Sequence, residues 1–184
     1  EMADEDVQAI ISYLRTAPPV KYKVPENDFN LLGKAIMAFF IRPENAAETP
    51  AIKMTPDTTV EYGKYLVWSV SGCRGCHTQR DMNTGKYIGE ELAGGPGEPV
   101  PGDETKMLYT ANLTPDPETG VLYNWTFEQF KNRFQQGRLI PETIMPWGQF
   151  KHLDETELLA IWKYLHTVKP VKNEINGYVQ KVKS

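Results

Sequence analysis

Apolar residues recur at helical spacing in several stretches of the chain. In MADEDVQAIISYLRTAPPV, residues Val7, Ile10, Ile11 and Leu14 share one helical face, and Pro18 and Pro19 end the pattern. In LDETELLAIWKYLHTVKPV, residues Leu158, Ile161, Trp162 and Leu165 form the stripe. Asp154 and Glu157 give that helix a capping-box start, and Pro170 ends it. TFEQFKNRFQQG has its own capping box in Thr126 and Gln129, a stripe of Phe127, Phe130 and Phe134, and Gly137 at the C′ position. From Thr58, TTVEYGKYLVWSV reads as a helix with Val60, Lys64 and Val67 at helical spacing. Gly63 leaves it a bare spot where another helix can cross closely. A short helix, Phe29 to Phe40, is expected between Pro25 and Pro43. Residues 78–124 are rich in glycine and proline and too long for a passive loop, so they are expected to wrap around something. No run alternates as a strand would, and the expected fold class is all-α.

The first and last helices resemble each other. Pairing Tyr13 with Tyr164 aligns Ala9 with Ala160, Ile10 with Ile161, Leu14 with Leu165 and Thr16 with Thr167. The shared exit YL-x-T-x-x-PVK extends the match through Pro19/Pro170, Val20/Val171 and Lys21/Lys172. This reads as an internal repeat. It makes residues 1–24 the terminal helix of a preceding domain, 25–55 a connector with a short helix, 56–171 the main domain and 172–184 a C-terminal tail.

Composition narrows the classes. With 40% hydrophobic residues among 184, a buried core is expected. The net charge of −4 argues against a nucleic-acid partner. The longest apolar stretch, Leu31 to Ile41, contains Lys34 and falls well short of the ~20 residues that span a bilayer. The chain opens on Glu1 inside what reads as a helix, so it is expected to belong to a longer chain.

Both cysteines lie in CRGCH, residues 73–77. A structural zinc site needs four ligands, and the remaining histidines, His152 and His166, are distant in sequence. A thioredoxin-like pair belongs beside a βαβ pattern, for which no strands are read. Covalent haem attachment, C-x-x-C-H, uses every position: Cys73 and Cys76 as thioethers to one haem c, and His77 as the iron ligand on one face. For the opposite face, Met145 in IPETIMPWGQF is the leading candidate, because Pro146 biases it toward an extended conformation in a loop. Met107, a histidine or an open site remain alternatives. His152 and His166 read as surface or cap residues. Tyr109, Trp125 and Trp147 are candidates to donate hydrogen bonds to a haem propionate, since buried Tyr and Trp seek polar partners.

The succession VEYGKYLVWSVSGCRGCHT, LAGGP, ANLTPDPETG, NWTFEQF, MPW and LDETELLAIWKYL resembles one haem domain of the c-type cytochrome subunits of bacterial membrane-bound alcohol and gluconate dehydrogenases, across about residues 56–171. The resemblance implies a class I cytochrome c fold with an N-terminal helical extension, and His77 and Met145 as axial ligands. It also implies a proline carbonyl orienting His77, assigned to Pro96. The segment after the haem motif departs from the pattern, being longer and more acidic, with Asp81, Glu90 and Glu91. The implied role is electron transfer, with substrate chemistry elsewhere. A dehydrogenase subunit would be the donor and a downstream cytochrome or oxidase the acceptor. The implied location is the periplasm or the outer face of the cytoplasmic membrane. A catalytic or gas-sensing haem domain with an open or displaceable sixth ligand is the rival reading.

Overall fold

The structure, a computed structural model, describes residues 2–41, 52–81, 83–95 and 97–182. It divides into two units, residues 3–53 and residues 54–184 together with residues 1–2. The first unit holds α1 (Asp4–Thr16) and α2 (Leu31–Phe39). Three acidic residues occupy the first turn of α1 and Arg15 its last, which complements the helix dipole. The Asn30 side chain accepts from Gly33 N at 2.8 Å and starts α2. Neither helix buries a residue of its apolar face. Most of the expected connector loop through Pro50 lies outside the described residues.

The second unit is organised by one helix crossing. α3 (Val60–Tyr65) starts where the Thr59 hydroxyl accepts from Tyr62 N, and α7 (Glu155–Leu165) starts at the expected Asp154/Glu157 capping box. The two cross at Gly63. A Cβ built there would overlap the Ala160 carbonyl oxygen and stand 2.9 Å from Tyr164 Cβ, so only glycine permits this approach. Tyr62, Tyr65, Leu66 and Val67 are buried on one side, and Leu158, Ile161 and Leu165 on the other. Each such aliphatic side chain contributes about 1.5–3 kcal/mol relative to exposure. α5 (Phe127–Gln135) carries the expected Thr126/Gln129 capping box. Its aromatic stripe joins two helices. Phe130 packs 5.3 Å from Trp162 of α7, and Phe134 packs 5.7 Å from Trp147 of α6 (Trp147–Phe150), centroid to centroid.

The expected all-α class does not hold. Among the described residues the chain is 37% helical and 9% strand. A three-stranded antiparallel sheet stands beside the helices, in the order β1 (Glu98–Val100), β2 (Asp103–Leu108), β3 (Val179–Lys181). The hairpin β1–β2 turns at Pro101–Gly102, with Gly102 at φ +82°. β3 comes from the C-terminal tail, which pairs Lys181 with Lys106 and Val179 with Leu108. Met107, an alternative sulfur donor in the sequence, sits within β2 opposite Pro99 and Gln180.

The segment after β2 grips the chain that leaves α7. Asn112 is buried; its amide donates to the Val171 carbonyl at 2.8 Å and to Thr119 Oγ1 at 3.0 Å. Thr114 Oγ1 accepts from Val171 N at 3.1 Å. Asp116 accepts from the Thr119 hydroxyl and from the Thr119 and Glu118 amides. The Thr119 hydroxyl, with those amides, holds its carboxyl below the usual carboxylate range, against the opposing effect of burial. The unfolded chain therefore binds this proton at higher pH than the folded one. The contribution is full above the usual carboxylate pKa and is lost as pH falls through the lowered one. Asp116→Asn is expected to flatten the acid limb of stability against pH and to lower stability at neutral pH, measured by urea unfolding across pH.

Candidate functional site

CRGCH forms its own short helix, α4 (Cys73–His77), and its approach is unusual. α3 continues through a π-helical turn, Leu66–Val70, and Gly72 at φ +62° then redirects the chain. Such π turns often accompany functional sites. Arg74, between the cysteines, is sandwiched between the Trp68 ring at 4.2 Å and the Tyr87 ring at 4.0 Å. It also pairs with Glu91 at 3.4 Å. The ion pair is partly exposed and worth little; the two aromatic faces supply the hold, at about 0.5–2 kcal/mol each. Trp68 is itself fixed by donating to the Tyr164 hydroxyl of α7 at 2.8 Å.

A loop covers the other end of α4 and satisfies its last carbonyls. Gly94 N donates to the His77 carbonyl at 2.9 Å. The Thr110 hydroxyl donates to the Cys76 carbonyl and accepts from Gly95 N, both at 2.7 Å. Thr78 Oγ1 accepts from Leu92 N at 3.0 Å. A Cβ at Gly95 would overlap the Cys76 carbonyl oxygen. Gly95→Ala is expected to lift the loop and cost about 1–3 kcal/mol, read as a lowered thermal midpoint.

His77 is buried, with Nδ1 2.8 Å from the Ala111 carbonyl oxygen. That carbonyl can only accept, so Nδ1 carries the proton and Nε2 keeps its lone pair. Burial holds the imidazole below its ordinary range, partly opposed by the bond to Ala111. A neutral ring with a fixed tautomer is the form that ligates a metal. Pro96, the residue the resemblance assigns to this carbonyl, lies outside the described residues. Burial pushes the Cys73 thiol up to about 12 and raises Cys76 as well, with Glu98 adding to the latter. Cys73 is half-buried and Cys76 exposed, and neither is shifted toward the thiolate. Among the described residues no three His, Cys, Asp or Glu side chains form a metal-binding cluster.

The remaining sequence candidates lie elsewhere on the fold. Met145 is partly buried at the entrance to α6. Its carbonyl accepts from Trp147 N at 2.8 Å around Pro146, an inverse γ-turn geometry with φ −78° and ψ 61°. Its amide donates to Thr143 Oγ1. Trp147 is buried, and its Nε1 has no hydrogen-bond partner among the described residues. Arg133 lies over its ring at 3.6 Å while donating to the Gly137 carbonyl. An orphaned indole N–H beside a guanidinium is what an anionic group would complete, which fits a haem carboxylate. Tyr109 stands against Gly97, and its amide donates to the Tyr178 carbonyl. Trp125 is partly exposed at the start of α5. His166 is exposed and bonded to the Trp162 carbonyl, and His152 is exposed. Ala111, Thr110 and Arg133 are not found from the sequence. A backbone acceptor leaves no side-chain signature, and an arginine stacked on an indole is not read from spacing.

A buried, tautomer-fixed histidine directly after two cysteines three apart on one short helix resembles the attachment site of a c-type cytochrome domain. Comparison with known proteins gives the particular kind. The chain is similar to the cytochrome c subunit of the quinone alcohol dehydrogenase of Gluconobacter oxydans, 31% identical over 120 residues, 62% of this chain and 23% of that protein. It is similar to the same subunit of Komagataeibacter europaeus, 30% identical over 129 residues, 66% of this chain and 25% of that protein. A nicotinate dehydrogenase subunit of Pseudomonas putida matches at 29% over 150 residues, 78% of this chain and 12% of that protein. The chain thus spans a quarter or less of the length of these relatives. No family model matches it.

Proposed function

We propose that this chain is an electron carrier holding one haem c, with thioethers at Cys73 and Cys76 and His77 and Met145 as axial ligands. The observation that carries the reading is His77: buried, neutral, and held by Ala111 through Nδ1 so that Nε2 is the unprotonated nitrogen, on the same helix as the two thiols. A haem bound there would supply a one-electron Fe(III)/Fe(II) couple, and a methionine ligand raises its potential. The protein's own part is to orient the histidine, keep water away and meet the propionates. Trp147 with Arg133 is the best-supported propionate contact, and Tyr109 and Trp125 are further candidates. The names of the relatives, subunits of dehydrogenases, support partners within a dehydrogenase complex; a dehydrogenase subunit is the proposed donor and a downstream cytochrome or oxidase the proposed acceptor. The proposed place is the periplasm or the outer face of the cytoplasmic membrane, which covalent haem attachment would require. No helix among the described residues is long and apolar enough to cross a membrane.

Spectroelectrochemical titration of the matured protein tests this. One reversible one-electron wave is expected, with no carbon monoxide complex in the reduced form. Met145→Ala is expected to lower the potential by on the order of 0.1 V, within the ~0.8 V that axial ligands control, and to admit carbon monoxide. Ready binding of carbon monoxide by the unaltered protein would instead indicate a reactive haem.

A further inference from the structure

The tail after residue 171 lies outside the stretch that resembles a cytochrome domain, yet it reaches the attachment helix. The connection runs through residues 92–95, the loop that closes on α4. Leu92 is fully buried at φ 58°. A bulky side chain in this left-handed region is strained, and it persists only where the surroundings over-determine the backbone. They do so here. Leu92 N donates to Thr78 Oγ1, and the Leu92 carbonyl accepts from Leu113 N at 2.8 Å. Gly94 N donates to the His77 carbonyl, and Gly95 N to Thr110 Oγ1. These partners lie next to His77 or close to Ala111 in sequence.

The remaining tie comes from the tail. Asn173 Nδ2 donates to the Ala93 carbonyl at 2.7 Å. That carbonyl and the Gly94 N–H belong to one planar peptide. The unit is therefore held by Asn173 at one end and holds the His77 carbonyl at the other, and hydrogen bonds in series strengthen each other. Ile175 covers it, with Cδ1 3.2 Å from where a Cβ on Gly94 would stand. Asn173 is itself fixed. Its backbone N–H donates at 3.0 Å to Thr119 Oγ1, the hydroxyl that also accepts from Asn112. Further along, the Tyr178 carbonyl accepts from Tyr109 N at 2.8 Å, and β3 pairs with β2, the strand that leads into Thr110 and Ala111.

We infer that Asn173 is a positioning residue for His77, fixing the Ala93–Gly94 peptide on the histidine's carbonyl from a backbone tied to the segment that bears Ala111. The tail thus sets the end of α4 against the carbonyl that orients the imidazole. Without the Nδ2 donor the peptide turns to water, and Nδ1–H sits less firmly on Ala111. A weaker bond at Nδ1 makes the imidazole a less basic ligand, which disfavours Fe(III) and raises the potential. The consequence for iron rests on the proposed role of His77 as its ligand.

Asn173→Leu keeps the size of the side chain and removes the donor. Lys172→Ala, which breaks the neighbouring exposed ion pair with Glu118, is the control. NMR of the reduced, matured protein follows exchange of the Gly94 amide and of the His77 ring N–H, beside the redox and thermal midpoints. In Asn173→Leu both protons are expected to exchange about fivefold faster, the loss expected of one hydrogen bond. The balance of Fe(II) over Fe(III) should rise about threefold, roughly 30 mV at 59 mV per tenfold. Lys172→Ala should move neither. A merely structural tie would lower the thermal midpoint and leave the ring proton and the potential unchanged, and that result overturns the inference. Fast Gly94 exchange in the unaltered protein overturns it without any variant. If the unaltered protein carries no haem, the role of His77 as a ligand fails, and the two exchange rates still decide whether Asn173 holds it.

Discussion

Replacing Cys73 and Cys76 together with serine is expected to abolish covalently retained haem. The two thiols are the only ones in the chain, and they stand three apart on α4, one turn along the same face. Cys73 is half-buried and Cys76 exposed, and the surroundings of each raise its thiol rather than favour a thiolate. Each thiol would add its S–H across one of the haem's two vinyl groups, so that both sulfurs become thioethers and His77, the next residue, would lie beside the iron. In acid–acetone extraction, all colour is expected to stay with the unaltered protein and all of it to leave the double variant. Each single variant should keep one thioether and retain its haem less stably. The intact mass of the unaltered protein should exceed that of its sequence by one haem. A disulfide, giving a mass two hydrogens light and no haem, is the outcome that would refute the attachment.

Gly63→Val is expected to be the most destabilising single change outside the haem site. Helix propensity alone would favour a residue other than glycine by about 0.5–1 kcal/mol. The atoms of α7 that a Cβ at this position would meet are backbone, the Ala160 carbonyl oxygen first and its carbon next, at 2.5 Å. Neither can rotate away, so α3 and α7 must separate, loosening Leu158, Ile161 and Leu165 against Tyr62 and Leu66. Overpacking costs about 1–3 kcal/mol and sometimes more. Because this clash is with backbone, we expect the upper end, about 3 kcal/mol, or a fall in thermal midpoint of roughly 10 °C. Calorimetry of the loaded protein checks this, and a change below about 2 °C would mean the crossing is looser than described.

The helices were legible because their signals are local. The Thr126/Gln129 and Asp154/Glu157 capping boxes occur where the sequence puts them, and the notch at Gly63 receives α7. The sheet was not legible, because its stabilising contacts are distant. β1 contains Pro99, β2 reads DETKML with charges on both faces, and β3 lies in the C-terminal tail. One local clue was present: Pro101–Gly102 between two short runs is a turn signal, and it closes the hairpin. At the site, CRGCH announced the attachment helix. The groups that hold His77 itself are backbone: the Ala111 carbonyl on its ring and the Gly94 amide on its carbonyl. Residue type hardly constrains those groups, so they appear only once the chain is folded.

A covalently held haem ligated by His77 and Met145 is what the proposed electron-carrier role depends on. The most direct measurement is the visible and far-red spectrum of the matured protein, oxidised and reduced, beside Met145→Ala. A weak far-red band of methionine-to-iron(III) coordination is expected in the oxidised protein and should be absent from the variant. Absence of the band in the unaltered protein, or its survival in Met145→Ala, would contradict the account.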